Sequence, residues 1–249
     1  MKRTVVLLLA LMSLVVPAQL AFAQLPFFSV VPFEFDPFDT RLVAAEWRSG
    51  IGCPTNAKTA PFLPPDFTTV GSGTYTDPAC LSGDPLDDHN QGLLLAKTGP
   101  TNNDASAGAT LDGVHGTILS ELGYDLRKPG ATFADPRGSH CGAGAPRFNV
   151  FIGSQLWFIG CASPPPNVDT PGNGWQRLRW GGSNVTDMLL AFNSDPTSPC
   201  NQVPCDIRGM IVDCIEIVFD EGDDTGPDNF GLAVVDNINV NGTRVGRGP

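Results

Sequence analysis

The chain has 249 residues, with 26 acidic against 15 basic side chains and a formal net charge of −11. Such a chain repels phosphate backbones, and no basic stripe with interleaved aromatics offsets this, so nucleic acid is excluded as a partner. Its 28 glycines and 23 prolines punctuate the sequence without repeating, which argues against a collagen or a low-complexity tail.

Residues 1–23 read as a secretory signal peptide. Lys2 and Arg3 form the basic start, Val5 to Val16 the apolar stretch, and Ala21-Phe22-Ala23 the small-x-small cleavage pattern. That stretch is too short for a bilayer anchor, and no second one is long enough to cross, so the mature chain is expected to be exported with no membrane span. Cleavage after Ala23 takes the 249 residues to 226 and, by removing two basic side chains, the charge from −11 to −13.

Residues 24–40 are expected to form an N-terminal arm lying on the body of the protein, and 41–249 a single domain. Short runs with period-2 alternation predict strands over 42–48, 92–98, 116–127, 147–152, 155–161, 175–180, 211–220 and 232–240. Gly153-Ser154 makes a two-residue hairpin turn between the fourth and fifth. Thr186 to Phe192 reads as a single helical turn or a short strand, and 53–90 as a long ordered loop. The fold class is all-β, an antiparallel two-sheet β-sandwich of the jelly-roll kind.

All seven cysteines lie in the mature part, and in an exported chain they are read as disulfides, making the sandwich disulfide-stapled. Cys200 with Cys205 closes a local loop, Cys141 and Cys161 flank the hairpin, and Cys53 with Cys80 staples the irregular N-terminal region. Cys214 is left as a buried free thiol, although a different connectivity or an intermolecular bridge is open.

Near the C-terminus, "CIEIVFDEG" followed by "NFGLAVVDNINVNG" resembles the last two strands of bacterial secreted jelly-roll domains. These include carbohydrate-binding modules and galactose-binding-like folds. The middle stretch "SELGYDLRKPG" with "HCGAGAPRFNV" is similar to exported bacterial proteins. The resemblance implies a sandwich that binds glycans and carries a structural calcium.

Alternation along the last strand sets Leu232, Val234, Asp236, Ile238 and Val240 on one face. Asp236 therefore points with the apolar set, and a buried carboxylate needs compensation. Backbone N–H groups or an arginine would supply it; so would calcium, which takes six to eight oxygens at about 2.3–2.6 Å. The metal set would be Asp220, Glu221 and Asp236 with the main chain near Glu46. The acidic turns around Asp223 and Asp224, and around Asp84, Asp87 and Asp88, read as solvated.

Glu121, Asp125 and Arg127 share one face of their strand. Placed in one sheet with Asn149, Trp157, Trp175 and Arg177, they would form a ligand-binding face: an aromatic plate for a sugar ring, with charged groups for its hydroxyls. The competing reading is a cross-strand ion-pair ladder. A glycosidase needs two carboxyl groups about 5–5.5 Å or about 6.5–9.5 Å apart. Glu121 and Asp125 are about 13 Å apart along a strand, so Glu121 would need a cross-strand partner such as Glu216. The expected function is non-catalytic binding of carbohydrate or another cell-surface ligand. The alternatives are a polysaccharide-active hydrolase or lyase using such a carboxylate pair, and a structural or adhesive envelope protein.

Overall fold

The structure is a computed structural model, and it describes residues 28–53, 83–87, 89–128, 141, 145–172, 175–182, 184, 186–224 and 231–249. The expected signal peptide, Cys80, Asp88 and His140 lie outside the described residues.

The strands in chain order begin with β1 (Ser29–Phe35), β2 (Val43–Ser49), β3 (Gln91–Lys97), β4 (Ser106–Asp112), β5 (Glu121–Arg127), β6 (Arg147–Ile152) and β7 (Gln155–Gly160). They continue with β8 (Asn167–Gly172), β9 (Trp175–Gly181), β10 (Leu190–Asn193), β11 (Cys205–Asp206), β12 (Cys214–Phe219), β13 (Leu232–Val240) and β14 (Thr243–Val245). They form two seven-stranded sheets, ordered β1-β4-β12-β6-β7-β10-β11 in the first and β2-β3-β13-β5-β9-β8 in the second, where β14 pairs β13. Every pairing is antiparallel, so the expected two-sheet sandwich is the observed fold.

Alternation places the core. Ala107, Ala109 and Leu111 of β4, Ile215, Ile217 and Phe219 of β12, and Phe148 and Val150 of β6 point from the first sheet. They meet Leu93 and Leu95 of β3, Leu122, Tyr124 and Leu126 of β5, and Leu178 and Trp180 of β9. Each fully buried large side chain contributes about 1.5–3 kcal/mol by leaving water. Tyr124, Phe148 and Trp180 form an aromatic node with centroids 5.2–6.0 Å apart. The two polar tips in it are satisfied: the Tyr124 hydroxyl donates to Pro146 O at 2.7 Å and Trp180 Nε1 to Pro164 O at 2.8 Å.

Several elements differ from expectation. Residues 29–35, read as part of an arm, are the edge strand β1, paired along its length with β4. Residues 116–120 do not extend β5, because the Asn241 side chain takes the backbone groups a neighbouring strand would use. Its Oδ1 accepts from Ser120 N and Glu121 N, and its Nδ2 donates to Ile118 O. Residues 211–213 stay outside β12 apart from one bridge between Ile211 and Ile118. The segment around Thr186–Phe192 ends in the short strand β10, one of its two expected forms.

The last strand breaks its alternation. Between Asp236 and Asn239 its register against β5 shifts, and Asn237 takes a left-handed φ of 46°. Before the bulge Ala233 and Val235 face the core; after it Ile238 and Val240 do. Val234 belongs to a second, smaller cluster outside the second sheet with Ile51, Cys53, Leu94 and Trp175, and Leu232 packs against it.

Two disulfides among the described residues are as expected, Cys141–Cys161 and Cys200–Cys205. Cys53 is disulfide-bonded as well, and Cys214 is a half-buried free thiol.

Candidate functional site

The residues expected to share one binding face are divided among three places. Glu121, Asp125 and Arg127 on β5, with Trp175 and Arg177 on β9, lie on the outer side of the second sheet, since their strand neighbours Leu122, Tyr124, Leu126 and Leu178 fill the core. Asn149 lies on the outer side of the first sheet, between the core residues Phe148 and Val150. Trp157 is 4% exposed and part of the inter-sheet core. The hairpin register explains it: Val150 opposes Trp157, whereas Asn149 opposes Phe158.

The outer side of the second sheet is largely covered. Asp125 is fully buried and directly opposes Arg177, whose Nε donates to Oδ1 at 2.8 Å and Nη2 to Oδ2 at 2.9 Å. Asn237 Nδ2 adds a third bond at 2.9 Å, and Arg179 approaches to 3.5 Å. Arg179 runs over Gly123, where a Cβ would collide with it. Burial lowers the Arg127 and Arg179 guanidinium pKa values to about 10. Trp175, with no exposed surface, packs into the second cluster instead of offering a plate. This is an ion-pair ladder sealed under loops.

Asp236 sits in the same layer at 1% exposure. Its compensation comes from the main chain: Cys53 N donates to Oδ2 at 2.7 Å and Asn237 N to Oδ1 at 2.5 Å. Burial first, then Asp125 and Asp87, push its carboxyl well above the usual range. Asp84 and Asp87, expected to be solvated, are buried as well. Asp84 accepts from Leu86 N and Gly246 N, and Asp87 from Gln91 N, which pins their loop and the C-terminus over the sheet. Asp224 is not simply wet either, since its Oδ1 accepts from both Thr101 N and Oγ1 at 2.8 Å.

Asp220, Glu221 and Asp236 each have other company. Asp220 pairs Arg147 at 2.7 Å, and Glu221 faces the buried Lys128 at 3.6 Å. Among the described residues no group of three or more His, Cys, Asp or Glu side chains is placed to hold a metal ion.

An open concavity lies on the other sheet. The outer side of the first sheet carries a groove of about 560 Å³. Its apolar wall is Phe33 and Phe35 of β1, within the segment expected to form an arm. A Cβ on Gly108 would lie 2.5 Å from Phe33 Cζ, so the glycine lets the ring lie down on β4. Its polar wall is Arg147, Asn149, Glu216 and Asp220. The register aligns these in rows across the strands: Phe33, Gly108, Val218 and Arg147 in one, Val31, Thr110, Glu216, Asn149 and Phe158 in the next. Four strands at about 4.8 Å spacing make the floor about 14 Å wide.

Its charges are unevenly satisfied. Arg147 donates to Asp220 through Nη1 and to Asn149 Oδ1 through Nε at 3.1 Å, with its guanidinium 5.6 Å from the Phe158 ring centre. Lys97, fully buried at one end, donates to Thr101 O and Ala105 O, and burial lowers its pKa. Burial pushes the Glu216 carboxyl up. Glu121 and Glu216 lie on outer sides of different sheets, so they do not form the acid pair.

No family model matches the chain, and no curated protein matches it. Two solved structures do. One is a family 11 carbohydrate-binding module from Clostridium thermocellum in complex with a β-1,3-1,4-mixed-linked tetrasaccharide, at 12% identity and a TM-score of 0.36, covering 86% of this chain and 89% of that one. The other is the family 11 module of the cellulosomal cellulase Lic26A-Cel5E of Clostridium thermocellum, at 12% identity and 0.36, covering 88% and 90%.

Proposed function

We propose that the protein is an exported β-sandwich that binds a saccharide chain along the groove of the first sheet without cleaving it. One observation carries the reading: the Phe33 and Phe35 side chains and the Arg147–Asn149–Asp220 polar set line one open groove. An aromatic face takes the apolar side of a sugar ring, and fixed donors and acceptors take its hydroxyls. Arg147 and Asn149 are held by each other and by Asp220, so little order has to be created on binding.

Disulfides support export, since they persist in oxidising compartments. Among the described residues no helix is long and apolar enough to cross a membrane. Binding without cleavage is favoured by spacing. Of the carboxylates lining the groove, Glu216 and Asp220 have backbone positions four residues apart, about 13 Å along an extended chain, and Asp220 is taken up by Arg147 at 2.7 Å.

The test is calorimetric titration of the mature protein with soluble polysaccharides and their oligosaccharides, a β-1,3-1,4-mixed-linked glucan among them. Phe33→Ala and Arg147→Ala are each expected to weaken binding at least tenfold, with the oligosaccharide recovered intact by chromatography. Variants that bind like the parent, or the appearance of new reducing ends, would refute the reading.

A further inference from the structure

We propose that the groove selects a saccharide bearing a protonated amine, seated over Glu216; this rests on the groove being the binding site. Glu216 lies in the middle of its row, flanked by Thr110 on one neighbouring strand and Asn149 on the other. No hydrogen bond or ion pair from any described residue reaches its carboxylate. The cations around it are committed elsewhere. Arg147 is turned to Asp220, Asn149 and the Phe158 ring, and Lys97 to two carbonyl oxygens.

Each kind of ligand meets that arrangement differently. A uronate or sulfate would place its charge near Glu216, Asp220 and Asp104 with no uncommitted cation among the described lining residues to receive it. A neutral hydroxyl would donate to Glu216 while covering a carboxylate that burial already disfavours, leaving its charge uncompensated. An ammonium group donates and cancels the charge together, and charged hydrogen bonds are about twice as strong as neutral ones. The Phe33 ring, packed against Gly108, lines the groove beside Glu216 and is available to the sugar. An oligomer of 2-amino-2-deoxy sugars, as in deacetylated chitin, has this chemistry.

Three tetramers differing at one substituent test the inference: glucosamine, N-acetylglucosamine and glucose. Titration is done at low salt and at a pH where the sugar amine is protonated and Glu216 ionised. The glucosamine tetramer is expected to bind about tenfold tighter than either other, the difference between a charged and a neutral hydrogen bond. Glu216→Gln, a near-isosteric change whose folding is checked by its melting curve, is expected to erase that ratio. Asp39→Asn removes the same charge from an exposed turn and is expected to keep it, which separates the site from attraction by the acidic chain as a whole. An acetylated or neutral tetramer binding as well, or a ratio that survives Glu216→Gln, overturns the amine while leaving saccharide binding in the groove intact. A lysine-rich peptide competing equally, with the same dependence on Glu216, overturns it in favour of a polypeptide ligand. Failure of all three tetramers overturns the amine, while saccharide binding in the groove stands or falls on the polysaccharide titrations.

Discussion

Replacing Asp125 by alanine distinguishes the two outer faces. Asp125 is fully buried, accepts two bonds from Arg177 and one from Asn237, and lies 3.5 Å from Arg179. Those two arginine side chains are only 12% and 11% exposed, so the substitution takes the buried carboxylate away from two buried positive charges. Breaking such a pair costs about 3–5 kcal/mol, a large part of the roughly 5–15 kcal/mol that holds a domain together. One relief is expected: Asp236, whose carboxyl Asp125 helps push up, would ionise more easily, which trims the loss. For a chain of this length the melting temperature should fall by of order 10 °C. The assay is urea unfolding with disulfides intact, alongside saccharide titration at a temperature where the variant is folded. Stability is expected to fall and affinity to stay, because the groove is on the other sheet. Unchanged stability together with lost binding would refute the reasoning and return the ligand to the second sheet.

Two further outcomes follow from particular contacts. Gly108→Ala puts a Cβ 2.5 Å from Phe33 Cζ and 2.6 Å from Ile217 O, so the ring must lift. We expect a stability loss of about 1–3 kcal/mol and at least tenfold weaker saccharide binding by calorimetry. Glu221 is buried beside Lys128 and Asp220, and burial raises its pKa from 4.5 to about 7. The folded state thus holds this proton more tightly than the unfolded chain. Its contribution is present below pH 4.5 and lost as pH rises towards about 7, by as much as about 3 kcal/mol. Urea midpoints measured across that interval should decline for the parent and decline less for Glu221→Gln.

Much of the fold was legible from alternation and turns. The hairpin β6–β7 is bounded as Gly153-Ser154 and its flanking apolar runs predict, because a two-residue turn sets the register locally. That register also carried a signal that was missed: counting back from the turn puts Asn149 opposite Phe158, which sends Trp157 inward with Val150. β1 and β4 were hard to see for different reasons. β1 has Pro32 within it, tolerable at a sheet edge, and the inward residues of β4 include two alanines, whose hydrophobic signal is weak.

What the sequence determined by itself is the set of side chains sharing each side of each strand, since successive Cβ atoms must point opposite ways. Glu121, Asp125 and Arg127 were grouped correctly on that ground. The tertiary structure alone decided which sides are buried. The second sheet is covered on both sides, by the first sheet and by loops that Asp84, Asp87 and Asp236 tie down, so its polar side became a sealed network. It also decided that β13 switches sides at Asn237, because a bulge costs the local pattern nothing visible while reversing every residue after it. Phe33 and Glu216, 183 positions apart, meet in one groove only because β4 lies between their strands.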